Sequence, residues 1–169
     1  MRIGESPSEL GAWCARAYTI TIAAAYGGRP SLTTQRFQKV LLVTHILFVG
    51  LGGFAGATCR FLVSGAVQRL VPLAIIPWGT LVVNVAGCTL IGVLAAVAES
   101  RAILSDSIRL FVFTGVLGGF TTFSAFSLET LRLVRDGDAL HGLVHVGLHL
   151  VLCLAAVFAG DALARLALR

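Results

Sequence analysis

Charge is what this sequence has least of. Of 169 residues only 12% are charged while 57% are hydrophobic, and mean hydropathy is +0.91. Soluble domains carry about 25% charged residues, so this set cannot furnish a water-facing surface. Lipid is the solvent that suits it. Paired cysteines are missing too. Cys14, Cys59, Cys88 and Cys153 form no C-x-x-C, which argues against a zinc site or a disulfide framework. Thiols inside apolar runs read as small hydrophobes. No Walker-type phosphate loop occurs, so nothing signals nucleotide-driven pumping. The formal charge is +5, yet the basic residues stand at the ends of apolar runs. There they meet headgroups and water rather than nucleic acid.

What is present falls into two parts. Residues 1–38 hold Arg2, Arg16, Arg29, Arg36, Gly27-Gly28 and Pro30 around a short apolar stretch at 18–26. A secretory signal needs a stronger apolar core and a cleavage site. The reading is a poorly ordered basic extension, or translation from an upstream start codon. Residues 39–169 are read as one four-helix transmembrane domain. Its apolar runs lie at 40–67, 78–98, 108–133 and 140–164. Each has about 20 residues or more, and at about 1.5 Å per residue each covers a hydrocarbon layer of about 30 Å. Lipid admits such spans only as helices, which bond every backbone group internally. Short links, marked by Pro72 and Pro77, by Glu99 to Asp106 and by Arg135 to Asp138, make an up-down bundle. Arg60, Arg69, Arg132 and Arg135 fall on one side, and Arg101, Arg109, Arg165 and Arg169 on the other. So balanced a core can insert both ways, and opposite insertions can pair antiparallel.

The third run carries the chemistry. Gly118-Gly119 and Thr121-Thr122 weaken a helix near mid-bilayer. Irregular backbone at that depth must be buried in protein or line a wet cavity. Broken helices there commonly mark ion sites. Phe123 and Phe126 share a helical face, with hydroxyls on Thr122, Ser124 and Ser127. A phenyl ring has a positive edge that can meet a small anion without a formal cation. Conduction favours such weak sites over a lysine. On the second run, Thr80 and Asn84 share a face; the Asn84 amide is either a donor to an anion or glue between helices. Glu129 either lines a pore mouth or pairs with an arginine, and Arg60 either faces the pore mouth or snorkels to the interface. His141, His145 and His149 repeat every four residues, suggesting a polar face toward a vestibule, with metal ligation the lesser alternative. Gly52 and Gly56, and Gly115 and Gly119, have the spacing of close helix packing.

Together these residues resemble the Fluc (CrcB) family of fluoride channels. The likeness rests on Gly52-Gly53-Phe54-Ala55-Gly56 with Arg60, on Pro77-Trp78-Gly79-Thr80 with Asn84 and Gly87, and on Thr114-Gly115-x-x-Gly118-Gly119-x-Thr121-Thr122-Phe123-Ser124-x-Phe126-Ser127-x-Glu129. It covers about residues 42–165 and all four spans. The resemblance implies an all-α membrane protein with its third helix broken near the midplane, paired as an antiparallel, dual-topology homodimer with two fluoride pores. It implies that Phe123 and Phe126 line the fluoride path, that Asn84 donates to it, and that Thr80, Thr122, Ser124 and Glu129 are polar positions along it. It further implies a structural sodium ion at the dimer centre, held by the backbone carbonyls of Gly118 and Thr121. Ala125 departs from the family's usual threonine, and His145 falls near a pore-side tyrosine of relatives. The rival class is a small proton-coupled exporter of organic cations, also a four-helix dual-topology dimer. It needs an acidic residue in the membrane, and the first run has none.

Overall fold

The computed structural model describes residues 32–72, 74–101 and 105–169. By Cα proximity the chain divides into Met1–Val43 and Thr44–Arg169. Of the first unit, residues 32–43 are described and helical. The extension expected over 1–38 otherwise lies outside the described residues. The side-chain geometry below belongs to Thr44–Arg169.

The described residues are helical and contain no strand. Four stretches are long and apolar enough to cross a bilayer: Lys39–Leu70, Trp78–Ser100, Asp106–Arg135 and Ala139–Ala167. The first continues a helix that runs Leu32–Leu70, and the second belongs to helix Trp78–Arg101. Large apolar side chains cover the outward faces; Phe54, Phe61, Leu143 and Phe158 are all exposed. In water that surface would drive aggregation, whereas acyl chains solvate it.

Where helices touch, side chains are small. A Cβ added to Gly52 would stand 2.5 Å from the Phe111 carbonyl and 2.9 Å from the Gly115 Cα. One added to Gly119 would stand 2.6 Å from the Gly53 carbonyl. The first and third spans are thus joined along a glycine seam that lets two backbones meet. The second and fourth spans share a seam of the same kind, where Gly92 lies on the Val157 carbonyl and Gly160 on the Thr89 carbonyl.

The third span is built in pieces. Asp106–Arg109 is α-helical, Leu110–Leu117 widens into a π-helix, and Gly118–Phe120 returns to the α form. Thr121 (φ −79°, ψ 155°) and Thr122 (φ −152°, ψ 116°) are then extended, and helix resumes over Phe123–Arg135. The extended residues are the two β-branched threonines, while Gly118 keeps helical dihedrals (φ −63°, ψ −35°). Gly119 therefore serves close packing, whereas a Cβ on Gly118 would meet only the Phe113 carbonyl, at 3.8 Å. The span ends in a Schellman cap. Asp138 N–H donates to the Leu133 carbonyl at 2.9 Å and Gly137 N–H to the Val134 carbonyl at 3.2 Å, with Gly137 at φ 88°.

Candidate functional site

Two extended residues inside a bilayer leave peptide groups that need partners. Asn84, from the second span, supplies them for Thr122. The Thr122 N–H donates to Asn84 Oδ1 at 2.8 Å, and Asn84 Nδ2 donates to the Thr122 carbonyl at 3.1 Å. The amide is buried and holds one residue's backbone at both ends, keeping one Nδ2 hydrogen in reserve. The Thr122 hydroxyl then accepts from the Ala125 N–H at 3.2 Å, capping the second half of the span. It also lies 3.2 Å from the Ser124 hydroxyl. In an unbroken helix those two N–H groups would bond the carbonyls of Gly118 and Thr121. Both donors go elsewhere, so these two carbonyls lose their helical partners.

Beyond the cap the chain presents rings. The Phe123 and Phe126 centroids are 5.3 Å apart at an interplanar angle of 53°. Phe126 is buried, while Phe123 is 77% exposed on the single chain. The fourth span meets Phe126 with two imidazoles, His145 at 5.3 Å and His149 at 4.5 Å between centroids. Both histidines are buried, His145 completely. His149 Nδ1 lies 3.0 Å from the His145 carbonyl. The Thr80 hydroxyl donates to Glu129 Oε1 at 2.6 Å. The other Glu129 oxygen is 3.7 Å from His145 Nε2 and is buried without a hydrogen bond, as are both His145 nitrogens and His149 Nε2. Such groups are costly unless a small polar species reaches them.

Two cavities flank this cluster. One of about 400 Å³ is walled by Asn84, Thr122, Phe123, Phe126 and His149, with Cys88 and Cys153 on the same wall. The other, of about 480 Å³, is walled by Arg60, Ser64, Thr80, Thr122, Ala125 and Glu129. Thr122 lines both, so this extended residue borders two spaces.

The structure thus gathers Thr80, Asn84, Thr122, Ser124, Phe123, Phe126 and Glu129 into one cluster. Asn84 joins elements and keeps a donor, so the two sequence readings of it are compatible. Glu129 has no arginine within 4 Å among the described residues; its partners are Thr80 and His145. Arg60 and Glu129 both line the second cavity. Ser127 turns back to the Phe123 carbonyl at 2.9 Å. His141 parts from the other two histidines and pairs with Asp138 at 3.2 Å. The close approach of Glu129 to His145 escapes local reading, since 16 residues of sequence separate them. So does the shared wall of Cys88 and Cys153, which only the packing of distant spans creates.

Comparison with known proteins gives a consistent set of similarities. The family described as CrcB-like protein, Camphor Resistance (CrcB), matches residues 47–161. A protein of Rhizobium meliloti (strain 1021) called Fluoride-specific ion channel FluC is 47% identical over 124 residues, which is 73% of this chain and 98% of that protein. A protein of the same name from Opitutus terrae is 50% identical over 116 residues, 68% of this chain and 87% of its own. Another from Geobacter sulfurreducens is 42% identical over 123 residues, 73% of this chain and 98% of its own.

Proposed function

The chain belongs to the CrcB-like protein family, and from that premise we propose that it is a passive, electrogenic, fluoride-selective channel that lowers cytoplasmic fluoride. The supporting observation is the extended Thr121-Thr122 backbone, secured by Asn84 and followed at once by the Phe123–Phe126 pair. Among the described residues no formal cation takes part in that cluster. Ring edges, the Thr122 and Ser124 hydroxyls and the spare Asn84 N–H offer an anion several weak donors, which suits passage better than one strong site. Thr80 acts at one remove, since its hydroxyl already serves Glu129. Arg60, beside the second cavity, raises the local concentration of anions at its mouth.

A passive pore suffices for export. Hydrogen fluoride is neutral and crosses lipid, then dissociates in a more alkaline cytoplasm. An inside-negative potential drives the anion back out with about 2.3 kcal/mol per charge per 100 mV. No reaction is catalysed, and the multi-pass chain needs no nucleotide.

The working unit in this reading is an antiparallel dual-topology dimer in the cell membrane, with the third span of each copy broken near the midplane. Phe123, exposed on one chain, gains its cover from the second copy. A structural sodium ion fits the same break. The carbonyls of Gly118 and Thr121 lack their helical donors, and hard oxygen ligands suit a hard cation. Those two carbonyls would hold the ion, which would supply positive charge beside the Phe123–Phe126 pair.

The test is fluoride efflux from liposomes holding the purified protein. Fluoride should leave only when a potassium ionophore relieves the opposing potential, and chloride should stay inside. Efflux insensitive to the ionophore, or proton-coupled uptake of organic cations in its place, would transfer the protein to the exporter class.

A further inference from the structure

Cys88 on the second span and Cys153 on the fourth are free thiols. Both line the cavity that holds Asn84, Phe123 and Phe126. The glycine seam between these spans, Gly92 on Val157 and Gly160 on Thr89, draws the backbones together one to two turns away. Both thiols stand on the same cavity wall. On the same wall, one turn before Cys153, His149 carries a buried Nε2 without a partner. Among the described residues no three His, Cys, Asp or Glu side chains converge to hold a metal. That rules against a tetrahedral zinc cage, which needs four ligands. Two thiols on one cavity wall are instead a donor pair for a soft cation that accepts two-coordinate geometry, the class of univalent copper and silver and divalent mercury.

We propose that Cys88 and Cys153 form a binding site for a thiophilic two-coordinate cation in the wall of the anion path, and that its occupancy obstructs fluoride. Two S–H bonds break, two protons leave to water and two metal–sulfur bonds form. With a univalent ion the product carries one net negative charge, so it repels fluoride as well as filling space. The site itself stands on the cavity geometry, and only the obstruction rests on the channel reading.

The probe is silver nitrate in chloride-free buffer, applied to the full chain bearing Cys14→Ala and Cys59→Ala. Expected are one silver ion retained per chain after desalting, loss of fluoride efflux, and recovery with excess dithiothreitol. Adding Cys88→Ser or Cys153→Ser, which keeps nearly the same volume, should abolish both retention and block. Silver retained equally by the serine chains, or none retained by the chain that keeps both thiols, overturns the site. Retention without block overturns the obstruction. Absent efflux before silver is added counts against the channel reading and leaves the retention result standing.

Discussion

Phe123 and Phe126 are the same residue type three positions apart, yet they stand in opposite surroundings. Phe126 is 8% exposed and wedged against His145 and His149, whereas Phe123 is 77% exposed. Replacing either with Ile should abolish fluoride efflux. Their stabilities should part company: Phe126→Ile should lower the unfolding free energy by about 1–3 kcal/mol, because it reshapes a packed core. Phe123→Ile should change it little in the dissociated chain, where the ring is uncovered. Thermal unfolding in detergent, read beside liposome flux, separates the two effects. Equal destabilisation by both would mean that Phe123 is packed in the solution state. Asn84 makes a second case. Asn84→Ala strands the buried N–H and carbonyl of Thr122, at about 1–3 kcal/mol for each group. It should lower the melting temperature well below that of Asn84→Asp, which keeps the acceptor for the N–H. The sequence showed that Asn84 was out of place in an apolar run. It gave no hint that Thr122 was its partner, since the two meet only when the second and third spans pack.

For the elements, periodicity and hydrophobic length placed the spans well. Runs read as 78–98 and 140–164 became helices Trp78–Arg101 and Ala139–Ala167. These limits are legible because lipid thickness and backbone satisfaction leave helices few lengths to adopt. The inside of the third span is harder to read. Glycine and threonine both weaken a helix, and composition cannot say which pair yields. The tight approach of Gly119 to Gly53 bears on that, by tying this glycine to the neighbouring backbone. The same contact makes a contrast. Gly119→Ala should cost about 1–3 kcal/mol through overpacking against the Gly53 carbonyl. Gly50→Ala, with nothing within 4 Å of the new methyl, should leave stability unchanged or slightly higher. Proteolysis or thermal melting of the two variants checks this; a Gly119→Ala chain as stable as the parent would show that the seam is loose.

At the scale of the molecule, orientation is the property least written in the chain. The arginines are nearly balanced across the bilayer, so the charge rule selects no single topology. If sodium bridges two copies as proposed, replacing it with N-methylglucamine should lower the melting temperature of the purified protein and leave the helical content intact. The shift should shrink with dilution of the protein. A melting curve indifferent to the cation would remove sodium from the assembly. The histidines belong to this scale too. His145 and Glu129 meet across two spans, so only the assembled bundle brings them within 3.7 Å.

The bond between Asn84 and Thr122 also bears on how the protein is made. The side chain that completes the Thr122 backbone is encoded 38 residues earlier, so it is already in the bilayer when the ribosome delivers the interruption. Synthesis order thereby shields the weakest stretch of the chain from meeting hydrocarbon alone. A circularly permuted gene that sends the third span out before the second forfeits this protection, and should give a lower yield of inserted protein in a cell-free translation with membranes.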